Sequence, residues 1–388
     1  MPDLNLLCVT ITEADFTRTA NFFRRWLRRP SSPLGQTSPE RLTLALVHSI
    51  EYLLSDRITD GIGKGGWGHS DRAYMECLYG PETASRVNES VMTTVVVAHA
   101  IHDCLLGLEK AGILIKEHSP RHVLDTIVDE LGTYLRDRWD ARRGHGGALV
   151  AGREGDFTLT PRYRHTAWLF CLWQCLPKYR DRTQLTALNL LEEFEMVKWE
   201  EETVATDVAA YVAFCLLEND PLCGALGVEA AARVRYFKHV IEGQMGAKFS
   251  SDLSGWSSGD ALAGGRQLYT LFLIAEMTGM FLRPKDTLTM QMVAALDATM
   301  SEEWRSADGV GVPLKQGGKG DISASALAAS ALMRKGRLTG KERELLVRVV
   351  SFLIERLAGG QESIRGTFSW ALSYFVRDIS RYLAGDER

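Results

Sequence analysis

The chain lacks most of the features that announce a function. No stretch reaches the roughly 20 consecutive apolar residues needed to span a bilayer, and the longest, Val95 to Leu106, is broken by His99, His102 and Asp103. Neither a Cys-x-x-Cys pair nor a His-Glu-x-x-His occurs, so dithiol redox and zincin chemistry have no support. "GIGKGG" at Gly61 carries neither the full Walker spacing nor a preceding strand, which removes the P-loop. Seven cysteines, an odd number scattered over apolar stretches, suit small buried hydrophobes in a reducing compartment and not a disulfide frame. Basic charge is also short: a net charge of -4 and a pI near 6.2 argue against a nucleic-acid binder that works by neutralising phosphates. The first residues, "MPDLNLLCVTITEADF", place no cationic region before an apolar core. The expectation is therefore a cytoplasmic protein with no secretory signal and no transmembrane segment. Strand-type alternation is almost missing too.

What is present is helical periodicity, from about residue 40 to the end. Val123, Leu124, Ile127, Val128, Leu131, Tyr134 and Leu135 recur at helical spacing, with Asp125, Asp129, Glu130, Arg136 and Asp137 between them; this predicts an amphipathic helix with one wet face. Similar stripes run over 42–54, 185–196, 228–240, 288–300 and 345–357. After each comes a stretch that is apolar or small-residue-rich all round, starting at Glu89, Arg162, Thr203, Gly265, Gly320 and Gly366. Such a helix requires burial on every side. Most of these stretches follow a glycine-bearing loop, as in "GKGGWGHSD" and "KQGGKGD".

Alternation of two helix types every 45 to 65 residues or so is a repeat signature. It predicts an all-α fold, an (α/α)6 toroid of six outer and six inner helices, because the inner helices are too apolar to line the open groove of a solenoid. Residues 1–38, ending in "RRPSSPLGQTS", read as an N-terminal helical arm and linker, and residues 39–388 as the toroid domain.

The turn "GGWG" at Gly65–Gly68 and the stretches "HTAWLFCLW", "ATDVAAYVAFCLL" and "SASALAASAL" resemble the repeats of terpenoid cyclases and protein prenyltransferase β subunits. The resemblance spans roughly residues 40 to 383. It implies an isoprenoid-like or other anionic small molecule in a central cavity, cyclised or transferred there. Class II cyclases carry an Asp-x-Asp-Asp motif; here Val204-Ala205-Thr206-Asp207 keeps only the last carboxylate. The resemblance makes Asp207 the candidate acid, assisted by His165 or Glu89. "RYRHTAWLFCL" is similar to the stretch carrying the prenyltransferase zinc histidine and maps it to His165, but the nearest counterpart of the Asp-x-Cys partner is His102-Asp103-Cys104. No Asp-Asp-x-x-Asp magnesium motif occurs. No cofactor is assigned, since neither zinc nor magnesium has a full motif.

In a ring of this kind the starts of the inner helices converge on one mouth, and helix N-termini favour anions. Arg164, Arg266 and Arg365 become candidates to hold an anion, with His69, Tyr163 and Asp321 beside them. Trp67 and Trp256 are candidates for an aromatic wall. A plainer reading stands next to each: Asp207 and Asp321 cap helices, and Trp67 plugs a gap where glycines let two backbones approach. His99, His102 and Asp103, spaced i, i+3 and i+4, suit either a metal or hydrogen-bonded polar groups in a crowded core. Two functions follow: an enzyme acting on an isoprenoid-like or other anionic small molecule, or a non-catalytic toroid serving as a ligand sensor or protein-interaction scaffold. A sugar-processing toroid is a third.

Overall fold

A computed structural model describes residues 13–28, 34, 37–58, 64–68, 91–110, 131, 149–151, 157–159, 162–175, 183–196, 208–255, 306–313, 318–334 and 338–384. Its elements are almost all helical. In chain order they are α1 (Glu13–Leu27), α2 (Pro39–Ser55), α3 (Val91–Lys110), α4 (Arg162–Cys175), α5 (Thr183–Glu195), α6 (Val208–Asn219), α7 (Pro221–Ala225), α8 (Val228–Gly255), α9 (Ile322–Arg334), α10 (Gly340–Ala358), α11 (Gln361–Ile364) and α12 (Ser369–Ala384). Two short antiparallel hairpins interrupt them: β1 (Leu149–Ala151) with β2 (Phe157–Leu159), and β3 (Val312–Pro313) with β4 (Gly320–Asp321). The periodicity does not foresee these hairpins, because each strand is two or three residues long and sits in a glycine-bearing loop. The outer stripes expected at 288–300 and over most of 123–135, and the inner helix from Gly265, lie outside the described residues.

Local signals set the helix ends. Ser38 caps α2 by accepting from Arg41 N, with Pro39 at the first helical position, where a missing N–H costs nothing. Thr339 and Glu342 form a reciprocal capping box at α10, as Thr-x-x-Glu before an apolar stripe dictates. Along α10, Leu346, Val349, Val350, Leu353, Ile354 and Leu357 are buried, while Arg343, Glu344, Ser351 and Glu355 are exposed. Each of those apolar side chains contributes about 2 kcal/mol by leaving water. The other helix type differs visibly. In α9 every residue from Ser323 to Leu332 is buried, and in α12 every residue from Ser369 to Ile379. A helix closed on all sides has neighbours on all sides.

Those neighbours form two layers. The helices buried all round lie side by side in the order α9, α12, α3, α4, α6, with the α3–α12 pair the most extensive helix contact. The amphipathic helices cover them: α10 packs on α9 and α2, α5 on α4, and α8 on α6. Phe368 N donates to Ser323 Oγ at 3.0 Å near the starts of α12 and α9, and Ser330 Oγ donates to Asp378 Oδ2 near their middles. These two helices therefore run in the same direction, with α10 as the return between them. The N-terminal helix α2 also meets the C-terminal segment, for Tyr52 Oη donates to Thr367 O at 2.7 Å and His48 Nδ1 lies 3.0 Å from Leu357 O.

One device recurs at two places far apart in sequence. Trp67 N donates to Thr94 Oγ1 at 2.9 Å, and the same hydroxyl lies 3.4 Å from Trp67 O. Val312 N likewise donates to Ser325 Oγ at 2.9 Å, and that hydroxyl lies 3.5 Å from Val312 O. At both places a hydroxyl in the first turn of a buried helix holds the backbone of the preceding loop. The glycines there have the left-handed backbone such turns need, with φ of 90° at Gly65 and 67° at Gly311. A Cβ on Gly311 would lie 2.8 Å from Phe352 Cδ1 and 2.9 Å from Ser325 Oγ, so glycine is required by space as well.

Candidate functional site

Four residues expected to act on a ligand are described with their side chains: Trp67 and Tyr163 are buried, Asp321 is half-buried and Arg365 is exposed. Trp67 is fully enclosed; its indole N–H donates to Leu53 O, and the Arg57 guanidinium lies 5.3 Å from its ring centroid. Its ring seals the turn against α2. Tyr163 is buried, with its ring edge-on to Phe194 at 5.3 Å, inside an aromatic group that includes Phe214 and Phe237. Asp321 Oδ1 accepts from Ala324 N at 2.9 Å and so caps α9. Burial pushes its carboxyl above the usual aspartate range, against the backbone N–H groups of Ala324 and Ser323. Arg365 is exposed, after α11. Arg164 and His165 fall in the first turn of α4, but their side chains lie outside the described residues. Asp207, Glu89, His69, Trp256 and Arg266 lie outside them altogether.

Chemistry-bearing side chains gather instead near the middle of the buried helices. His99, His102 and Asp103 come from α3, Arg377 and Asp378 from α12, and Ser330 from α9. Arg377 and Asp378 are 2% and 4% exposed. Asp378 accepts from Ser330 Oγ, and its Oδ1 lies 3.5 Å from Arg377 Nε. The guanidinium also sits 4.7 Å from the ring centroid of Tyr374. Nε and Nη2 of Arg377 have no hydrogen-bond partner among the described residues. On α3, His102 Nδ1 is 3.2 Å from Asp103 Oδ1, and these two side chains keep 24% and 22% exposure. That exposure is informative, because Thr93 to Ala98, Ala100, Ile101 and Cys104 on the same helix are buried. Over residues 93–104, the partly exposed side of α3 is therefore the His99, His102 and Asp103 face.

His99 links the two groups. It is half-buried overall, but its Nε2 is closed to solvent and has no hydrogen-bond partner among the described residues. Burial pulls its pKa down to about 4; Asp103 opposes that fall, and the charges of Arg377 and His102 add to it. All four groups thus act at one place on the α3–α12 seam. The ring is neutral near pH 7, and its remaining nitrogen bonds the backbone of Cys171. This leaves Nε2 as an acceptor.

Three properties follow from this set. The adjacent His102 and Asp103 can pass a proton to or from a bound molecule. The guanidinium can hold oxygens, and the neutral imidazole can accept a hydrogen bond. Among the described residues, no group of three or more His, Cys, Asp or Glu could hold a metal ion. Burial pushes the Cys215 thiol up to about 12, far above the range where a thiolate forms readily. Sequence reasoning found the α3 trio but missed Arg377, Asp378 and Ser330. The signal was there in "SYFVRDI", where two adjacent charges interrupt a stretch that must be buried all round.

Comparison with known proteins leaves the chain without an assigned family: no family model matches it, and neither does any curated protein or solved structure. Among the described residues, no helix is long and apolar enough to cross a membrane.

Proposed function

We propose that the chain is a cytoplasmic (α/α)6 toroid of the terpenoid cyclase and prenyltransferase kind, binding an isoprenoid-like or other anionic small molecule among its inner helices. The observation that carries this reading is the partial exposure of His102 and Asp103 among the buried neighbours Ala100, Ile101 and Cys104 of α3, on the helix that packs against the buried Arg377 and Asp378 of α12. Five ionisable groups set into a helix seam suit a place where something polar is received. The apolar side chains of α3, α9 and α12 around these groups suit a hydrocarbon chain. The parallel run of α9 and α12, with the N-terminal repeat resting on the C-terminal one, supports a closed ring.

The non-catalytic reading has its own support. Leu185 and Leu188 on α5, Met196 just after it, and Val228 and Tyr236 on α8 are exposed apolar residues, Met196 at 83% and Val228 at 87%. Of these, Tyr236 lines an open cleft of about 410 Å³ together with Glu195, Glu229, Ala232, Arg233 and Phe237. Clustered apolar exposure on an outer layer suits a protein-interaction scaffold.

Incubation of the purified protein with geranyl, farnesyl and geranylgeranyl diphosphate separates these readings. Each ligand is followed by calorimetry and by product extraction. Turnover assigns an enzyme, with Asp207→Asn and Asp103→Asn showing which carboxylate serves. Saturable binding without product assigns a sensor. Absence of both overturns the isoprenoid reading and leaves the scaffold.

A further inference from the structure

Two exposed faces of the outer layer carry opposite charge, and each leaves part of it unanswered. Residues 16–39 hold five arginines and no acidic residue, in a chain whose net charge is -4. Ala20, Phe23 and Leu27 of α1 are buried where that helix packs on α2. The opposite side exposes Arg18 and Arg25, with Arg28 just past the last residue of the helix. Arg24 is held by Glu40, but Arg25 and Arg28 form no ion pair among the described residues. Like charges three or four positions apart weaken a helix, and an acidic surface laid against this end of α1 removes that cost. The other face supplies one. Helix α5 holds three glutamates and no cation, and its outward side carries Leu185, Leu188, Glu192 and Glu195. Next to it α8 exposes Glu229 and Tyr236, the ring at 64%, and both line the cleft with Glu195. Arg233 is the one cation among the lining residues, and it is spent on Glu195 at 2.5 Å. Glu192 and Glu229 form no ion pair among the described residues. An open aromatic ring beside carboxylates fits a guanidinium, which stacks on the ring while its apolar stem covers neighbouring leucines.

We propose that a second copy of this chain seats the basic face of its α1 on the α5–α8 face, with Arg25 and Arg28 meeting Glu192, Glu229 and the Tyr236 ring. Within one chain α1 rests on α2, whereas α5 and α8 rest on α4 and α6, so the two faces belong to different parts of the outer layer and meet between copies. The contact rests on the scaffold reading, for which it names the partner, and it requires no interior ligand. Binding or turnover of prenyl diphosphates therefore leaves it untouched.

The test is analytical ultracentrifugation of the whole protein at about 0.1 M and about 1 M salt, between which the screening length falls from about 10 Å to about 3 Å. Wild type should associate at the lower salt and at least about tenfold more weakly at the higher. Arg25→Glu with Arg28→Glu, and separately Glu192→Arg with Glu229→Arg, should each sediment as monomer, because each sets like charges across the contact. All four positions are exposed, so both variants should melt with wild type. An equimolar mixture of the two should associate at least about tenfold more tightly than either alone, since opposite charges then face each other again. Tyr236→Ser, which removes the ring and no charge, should weaken wild-type association several-fold. If a charge-reversed variant does not fold, the glutamine versions at the same positions carry the test, each weakening association. Monomeric wild type, association that ignores both variants, or a mixture no tighter than its parts overturns the contact. Monomeric wild type that sediments with phosphatidylserine vesicles through Arg25 and Arg28 overturns it in favour of a lipid surface. Monomeric wild type that ignores such vesicles overturns it and leaves the α5–α8 face to a different protein, with the scaffold reading intact.

Discussion

Burial decides the charge of His99, and that charge decides how the molecule responds to acid. A histidine whose folded pKa is about 4, against about 6.5 when unfolded, binds fewer protons folded than unfolded between those values. Its contribution is therefore complete above about pH 6.5 and is lost as the pH falls towards 4. The loss from this group is about 2 kcal/mol between pH 7 and pH 5. The groups facing it are Asp103 and His102 on its own helix and Arg377, with Asp378 adjacent, on α12. Urea titrations of wild type and His99→Gln at pH 7 and pH 5 isolate this term. The wild type should lose more stability than the variant, and equal losses would show that His99 does not carry the acid response. At Trp67, replacement by Phe leaves Leu53 O without its donor and thins a fully enclosed site. The expected cost is about 2–3 kcal/mol, read from the same titrations at pH 7. A neutral result would return the ring to the cavity wall.

At the scale of elements, the repeated hydroxyl that clamps a loop backbone is the part of the architecture most open to direct measurement. Thr94→Val leaves Trp67 N buried without its partner, and Ser325→Ala does the same to Val312 N. Each should cost about 1–3 kcal/mol. The two sites lie on α3 and α9, which are separated by α12, so the double variant should equal the sum within about 0.5 kcal/mol. Much at this scale was legible in the sequence. The apolar stripe of α10, its Thr339-x-x-Glu342 box and the all-round apolar run of α9 each dictate what is found, because each signal is local. The hairpin β3–β4 was not, because two-residue strands have no periodicity to read. The residues of the α3–α12 seam were half legible. His99, His102 and Asp103 share one helix face, whereas Arg377 and Asp378 reach them only through tertiary packing between helices far apart in the chain.

For the whole molecule, the question is whether contacts between the first and last repeats make one cooperative unit or merely dress its ends. Solenoid repeats touch only their sequence neighbours and open from the ends. Here α2 rests on α10, α3 on α12, and Ser369 Oγ donates to Asp56 Oδ2, so the N-terminal helices are not an end in that sense. Tyr52 Oη on Thr367 O spans 315 positions of sequence and is removed cleanly by Tyr52→Phe, which keeps the ring. The expected loss is about 1 kcal/mol, plus part of the cost of leaving a buried carbonyl unfilled. In a cooperative closed structure that loss is shared: native-state hydrogen exchange should show amides of α2 and of α12 losing protection by the same amount. In an open array the effect would stay within the residues next to the substitution, and the two helices would respond differently. Equal loss across both ends would favour the closed ring, which is the arrangement a ligand enclosed among inner helices requires.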